Sequence, residues 1–216
     1  MKKQQTLLQL QLKLLLKLKL LLLLLGFCQF TVTTNLFAQS IDAEILRCIH
    51  TNRNIALDKP MQFISNSILV IVPAVPAGLF ATGLATDNKE TIGESVQIGA
   101  SALSAFAITY ALKQIIQRSR PFETYDFISN IGNETGYSMP SNHTATAFAF
   151  ATSISMQYPK WYIIIPSYLW ATSVGYSRMH LGVHYLSDVL VGMVIGIGTS
   201  YLTYQFEKKI MKQHFK

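Results

Sequence analysis

The sequence predicts an all-α integral membrane helical bundle, with five transmembrane helices after a cleavable signal peptide, or six if the signal is kept. Three observations carry that expectation. Only 13% of the 216 residues are charged and 50% are hydrophobic, whereas soluble domains carry roughly 25% charged residues. Apolar stretches of membrane-crossing length recur along the chain. Nine of the 18 basic residues lie at the two ends: Lys2, Lys3, Lys13, Lys17 and Lys19 at the front, and Lys208, Lys209, Lys212 and Lys216 at the back. Terminal charge of this kind orients a membrane protein. Because the net charge of +7 is not gathered on a folded patch, it argues against a nucleic-acid partner.

The first element, residues 1–38, joins five lysines to the run Leu20–Leu25 and ends in Phe37-Ala38. A basic front, an apolar middle and a small residue before polar chain form a secretory signal, with cleavage expected after Ala38. Leu36 is a poor residue for the third position before the cut, which leaves an uncleaved anchor open. Cleavage would remove five positive charges and leave +2. Residues 39–60 form an amphipathic segment outside the membrane. Ile41, Ile45, Leu46 and Ile49 there have helical spacing suited to a membrane surface. The membrane domain expected over 61–207 holds the spans, and 208–216 is a basic cytoplasmic tail. Cys28 and Cys48 make no disulfide framework and read as small buried hydrophobes.

Phe63 to Leu84 carries no charge and would rise about 33 Å as a helix. Pro73 and Pro76 should bend it. Val96 to Ile116 is a second span, rich in small residues that let helices pack closely. Thr144 to Met156 and Tyr162 to Tyr176 are shorter, joined by Tyr158-Pro159-Lys160-Trp161. Val189 to Phe206 is the fifth, and its Gly192 and Gly196 form a GxxxG pair.

The unusual polar residues fall in two loops. Lys113, Arg118 and Arg120 lead into Pro121, and Ser141, Asn142 and His143 follow Pro140. Arg178, His180, His184 and Asp188 come later. Lys113 and Arg120 are two helical turns apart, so they share a side if the helix continues. With Arg178 they could surround one phosphoryl group, through guanidinium forks and a compact ammonium. Blander readings exist for each residue alone: a snorkelling cation pair, a capping His143, and a polar His184–Asp188 pair at a helix start. His180, His184 and Asp188 also have the four-residue spacing of metal ligands, although Gly182 interrupts a helix there and three nearby cations would repel a metal.

Taken together, the pattern resembles the type 2 phosphatidic acid phosphatase superfamily. Lys113, six residues and Arg120-Pro121 look like its first signature. Pro140-Ser141-Asn142-His143 looks like its second, and Ser177-Arg178 with His184 and Asp188 looks like its third. The resemblance covers Asp58 to Phe206. It implies that His184 attacks phosphorus to form a phosphohistidine, and that Asp188 orients it. It further implies that Lys113, Arg120 and Arg178 bind the phosphoryl oxygens, that Ser141 adds a hydrogen bond, and that His143 protonates the leaving oxygen. No metal or other cofactor is implied. Asn142 stands where the family usually has Gly; Asn tolerates positive φ, so the loop keeps its form, and the side chain could narrow the pocket or offer an extra donor. Arg118 matches no signature residue and reads as a solvated or headgroup contact.

The implied function is a membrane lipid phosphatase. Its substrate would be a lipid phosphomonoester or diphosphate: undecaprenyl diphosphate, phosphatidylglycerophosphate, phosphatidic acid or lipid A. Two alternatives are a phospholipid-binding or transport protein, which would not need the His184–Asp188 pair, and a vanadate-dependent haloperoxidase, whose known members are soluble. Partners are the lipid substrate and the surrounding membrane lipids.

Counting crossings back from the basic tail places both polar loops in the periplasm or exterior of a bacterial inner (cell) membrane. This orientation is tested with an impermeant thiol reagent on intact cells, in a Cys48→Ser background. A cysteine replacing Asn130 should label in intact cells, and one replacing Gln213 only after lysis. The reverse pattern would overturn the orientation.

Overall fold

The computed structural model describes residues 41–51 and 53–214. The signal or anchor segment, the cut after Ala38 and Cys28 lie outside the described residues. The chain divides into a unit ending at Ala43, of which only the last three residues are described, and a unit from Glu44 onward. The described residues are helical, with no strand among them.

Residues 44–51 form α1, whose apolar side is used inside the protein. Leu46 is fully buried with Ile128, Met179, Tyr185 and Val189, and Ile49 packs against that cluster. Of the helically spaced residues, Leu46 and Ile49 thus pack within the protein, whereas Ile41 is 51% exposed. Cys48 faces outward as a free, exposed thiol, contrary to the buried position expected for it. A short 3₁₀ turn over Ile55–Leu57 leads into α2 (Asp58–Asn66) and α3 (Ile68–Ala85).

The break between α2 and α3 falls at Ser67, and α3 stays helical through Pro73 and Pro76. The Ser67 hydroxyl donates to the Ile64 carbonyl at 2.6 Å and accepts from the Trp170 indole at 2.9 Å, which ties this point of the chain to α7. Within α3 only Ile68 and Gly83 are buried, and Leu69 and Val70 are 71% and 67% exposed. An apolar helix left this bare belongs against lipid.

The remaining helices are α4 (Lys89–Ile116), the one-turn α5 (Pro121–Thr124), α6 (Asn142–Gln157), α7 (Trp161–His180) and α8 (Leu186–His214). Each of the five spans expected from the sequence falls within a helical region. Among the described residues, three regions are long and apolar enough by themselves to cross a bilayer: Ile55–Ala85, Lys89–Thr124 and Leu186–Lys209. The molecule is a membrane protein.

Helix α6 is the centre of the bundle, in contact with α3, α4, α7 and α8. It can be central because it is thin. Ala145, Ala147, Ala149 and Ala151 are all fully buried, so neighbouring backbones approach closely. The GxxxG pair does the same from α8. A Cβ on Gly192 would come within 2.7 Å of the Ser141 carbonyl oxygen, and one on Gly196 would overlap Ala145 and Ala149 of α6. Buried polar side chains add hydrogen bonds across the same helices. Ser200 donates to the Ala149 carbonyl at 2.7 Å and pairs with Ser101 at 2.8 Å, and Gln97 donates to Thr203 at 3.0 Å.

Gly196→Leu should therefore destabilise the bundle by about 1–3 kcal/mol, the usual cost of overpacking. Gly198, on the same helix, has open space where its Cβ would lie, so Gly198→Ala serves as the control. Thermal unfolding of both variants in detergent checks this, and equal midpoints would show that α8 is not seated on α6 through Gly196.

Candidate active site

The C-terminal ends of α4 and α7 meet the N-terminal ends of α6 and α8, and the polar residues of both loops collect there. Lys113 and Arg120 do not share a helix face as their spacing suggested. Helix α4 ends at Ile116, because Gln117 takes a left-handed conformation with φ 50°. Arg120 then stands at the cap of α5, with Pro121 at the first helical position, where its fixed φ is suited. The two cations converge because the chain turns back.

All three cations are buried: Lys113 is 8% exposed, Arg120 3% and Arg178 2%. Burying charge is costly unless every donor finds an acceptor, and the 118–141 loop supplies most of them. Lys113 Nζ donates to the carbonyls of Tyr137 (2.6 Å) and Ser138 (2.8 Å). Arg120 donates to those of Gly136 (2.9 Å), Thr135 (3.0 Å) and Val183 (2.9 Å). Arg178 donates through Nη1 to Ser65 Oγ at 2.6 Å and through Nη2 to Glu134 Oε1. Its Nε is buried without a partner. Glu134 Oε2 lies 3.5 Å from Arg120, so this carboxylate spans both guanidinium groups. The sequence reading missed Glu134. It is one of three acids in a long polar loop, with no spacing to mark it.

His184 is delivered by the tight turn between α7 and α8. Gly182 makes that turn with φ +75°, and a Cβ there would strike Ser129 and Ile128. The turn separates His180 from His184, so the four-residue ligand spacing is not realised on one helix. His180 instead meets Asp58 at 2.9 Å, and no cluster of three His, Cys, Asp or Glu forms among the described residues. His184 Nδ1 lies 3.3 Å from Asp188 Oδ2, and its Nε2 lies 3.5 Å from Arg120 Nη1. A proton on Nδ1 therefore leaves the Nε2 lone pair facing the cations. Burial, reinforced by Arg178, Lys113 and Arg120, holds the His184 pKa well below its ordinary value. The ring is neutral at physiological pH and its lone pair is available.

Asp188 is fully buried and fully used. Oδ2 also accepts the Tyr185 backbone N–H at 3.0 Å, and Oδ1 accepts Arg118 Nη1 at 2.8 Å. Arg118 further donates to Ser187 at 2.7 Å and stacks 3.8 Å over the Tyr185 ring. The solvated role expected for Arg118 gives way to a counter-ion for Asp188. Nothing in the sequence marked this pairing, because the two partners lie 70 residues apart.

At the start of α6, Ser141 caps the helix by accepting Thr144 N–H at 3.4 Å and Thr144 Oγ1 at 2.9 Å. Asn142 is helical and is not among the positive-φ residues. The backbone here does not need the freedom of Gly, and Asn142 instead contributes a buried, unpartnered Oδ1. Asn142, His143, Lys113, Arg120, Glu134 and His184 line the polar end of a cavity of about 710 Å³. Its other walls are apolar, with Leu69, Val72 and Pro76 of α3 facing Leu103, Phe106 and Tyr110 of α4. An anionic headgroup fits the polar end and a hydrocarbon chain fits the groove.

The chain is similar to a known family and to several known proteins. The model of the PAP2 superfamily matches residues 94–212. Undecaprenyl-diphosphatase BcrC of Bacillus subtilis is 27% identical over 165 residues, which cover 76% of this chain and 82% of that protein. The crystal structure of LpxE from Aquifex aeolicus superposes with a TM-score of 0.65 at 26% identity, covering 75% of this chain and 93% of that one. A transmembrane PAP2-type phosphatidylglycerolphosphate phosphatase from Bacillus subtilis superposes with a TM-score of 0.63 at 27% identity, covering 80% and 87%.

Removing Arg118 would leave the buried Asp188 carboxylate without its cation. Arg118→Ala should lower stability by about 3 kcal/mol, the scale for breaking a buried pair, and Arg118→Lys by less. Thermal unfolding in detergent measures both, and a parent-like midpoint for the alanine variant would show that Asp188 does not depend on Arg118.

Proposed function

The chain belongs to the PAP2 superfamily and is a membrane lipid phosphatase, and we propose that it works through a phosphohistidine on His184 at the outer face of the membrane. One observation supports this reading above the others. Buried Lys113 and Arg120 and the Asp188-held His184 imidazole line the polar end of an apolar groove, and buried Arg178 is joined to them through Glu134.

In the proposed reaction the lipid lies along α3 and α4 with its phosphoryl group among Lys113, Arg120 and Arg178. These cations neutralise the charge that spreads over the phosphoryl oxygens in the transition state. Ser141 Oγ and the first N–H groups of α6 add donors at a helix N-terminus. The Nε2 lone pair of His184 attacks phosphorus, and Asp188 stabilises the imidazolium that forms. The bond from phosphorus to the leaving oxygen breaks, and His143 gives that oxygen its proton. Water then attacks the phosphohistidine and yields its proton to His143. Inorganic phosphate leaves, and His184 Nε2 is free again. With a lipid diphosphate the leaving group is the lipid monophosphate.

We further propose five membrane crossings after removal of residues 1–38, with both polar loops outside. The basic residues at the two ends support this orientation. The substrate belongs to the class of lipid phosphomonoesters and diphosphates named for the relatives. A purely binding or transporting role leaves the His184–Asp188 pair without a task.

Phosphate release from purified undecaprenyl diphosphate, phosphatidylglycerophosphate, phosphatidic acid and lipid A, in detergent, tests the proposal. The parent should release phosphate from at least one of these lipids. His184→Ala should lose at least about 10⁴-fold in kcat, since the groups of a covalent mechanism act as a unit. A folded His184→Ala variant with parent-like turnover would remove the phosphohistidine, and a parent inactive on the whole panel would remove this substrate class.

A further inference from the structure

The cations of the site already hold an anion belonging to the chain. Glu134 Oε1 accepts from Arg178 Nη2, and its Oε2 lies 3.5 Å from Arg120 Nη2. Two oxygens of one group set between two guanidinium forks is the arrangement a phosphoryl group would adopt. The fork of Arg178 is only half used, because its Nε is buried without a partner. The backbone around the carboxylate is fixed independently. Asn130 accepts the Glu134 N–H at 3.2 Å and donates to its carbonyl at 3.1 Å, while Arg120 holds the carbonyls of Thr135 and Gly136. The side chain itself is 29% exposed, so it can rotate outward without moving the loop. Burial favours its neutral form, but Arg178 outweighs that and holds the carboxyl below its ordinary range. It is therefore anionic at neutral pH.

We propose that Glu134 is a specificity-determining residue whose carboxylate competes with phosphate for the Arg120–Arg178 fork. An arriving lipid phosphate turns the carboxylate out, and its return expels inorganic phosphate once the phosphohistidine is hydrolysed. The asymmetry comes from the groove. A lipid substrate adds apolar contact along α3 and α4 to the attraction of its headgroup, whereas inorganic phosphate has only the cations and loses to a tethered carboxylate. The same competition disfavours small soluble phosphate esters. This inference rests on the reading of Lys113, Arg120 and Arg178 as the phosphoryl site.

The test is inorganic phosphate binding to the purified full-length protein in detergent. It is measured by calorimetry and as competitive inhibition, for the parent and for Glu134→Gln, Glu134→Ala, Glu134→Asp and Arg178→Ala. Glu134→Gln and Glu134→Ala should bind phosphate at least about tenfold more tightly than the parent, an effect expected from removing one like charge at close range. Their kcat on lipid should fall as release slows. Glu134→Asp, which keeps the charge on a shorter stem, should tighten binding less. Unchanged or weaker phosphate binding in both the Gln and Ala variants would overturn the proposal, and is the result if Glu134 only orients Arg178. Phosphate binding unaffected by Arg178→Ala would instead overturn the cation site, and the role of Glu134 with it.

Discussion

Three buried cations set the terms for the rest of this molecule. Lys113, Arg120 and Arg178 lie at the end of an apolar bundle, where each would be costly without acceptors. Their donors are met largely by backbone carbonyls of the segment between α5 and α6, and by the Val183 carbonyl in the α7–α8 turn. The cations therefore hold the long polar loop in shape, and the loop gives the cations their direction. Removing either would leave the other without partners.

The helices below serve that arrangement through close approach. Helix α6 carries Ser141, Asn142 and His143 on its first turn, and its alanines let α4, α7 and α8 close around it. Gly192 and Gly196 bring α8 against the same helix, which fixes Asp188 relative to Ser141. The Ser141 backbone N–H donates to the Asp188 carbonyl at 3.1 Å. Two helix N-termini are thus tied together beside the phosphoryl site, where their dipoles favour an anion. Hydrogen bonds from Gln97, Ser101 and Ser200 hold the lower half. The span containing α3 is the least buried of the three long apolar ones and faces lipid, which suits the open wall of a groove for a hydrocarbon chain.

Charge at the site is finely divided. Asp188 is shared between His184, Arg118 and a backbone N–H, so its negative charge orients the imidazole without drawing off its proton. Glu134 performs the corresponding service for the guanidinium groups while no substrate is bound. Burial and the three cations keep the His184 ring neutral, with its free lone pair turned towards those cations, the state a nucleophile requires.

The linear sequence by itself determined the membrane character, the helical segments and the three groups of polar residues. Those follow from local composition and spacing: low charge, apolar runs of sufficient length, and small residues such as Gly192 and Gly196 at four-residue intervals. Other features were settled only by tertiary structure. The tie between Ser67 and the Trp170 indole joins residues 103 apart in the chain. The burial of Leu46 depends on Ile128 and Met179 closing over it. Arg118 acquired its role because Asp188 lies 70 residues further along the chain, and Glu134 because Arg178 lies 44 residues beyond it. A charge pair has no periodicity to mark it in a sequence. Its partner is chosen by which loops the bundle brings to the same end, and that choice exists only once the helices have packed.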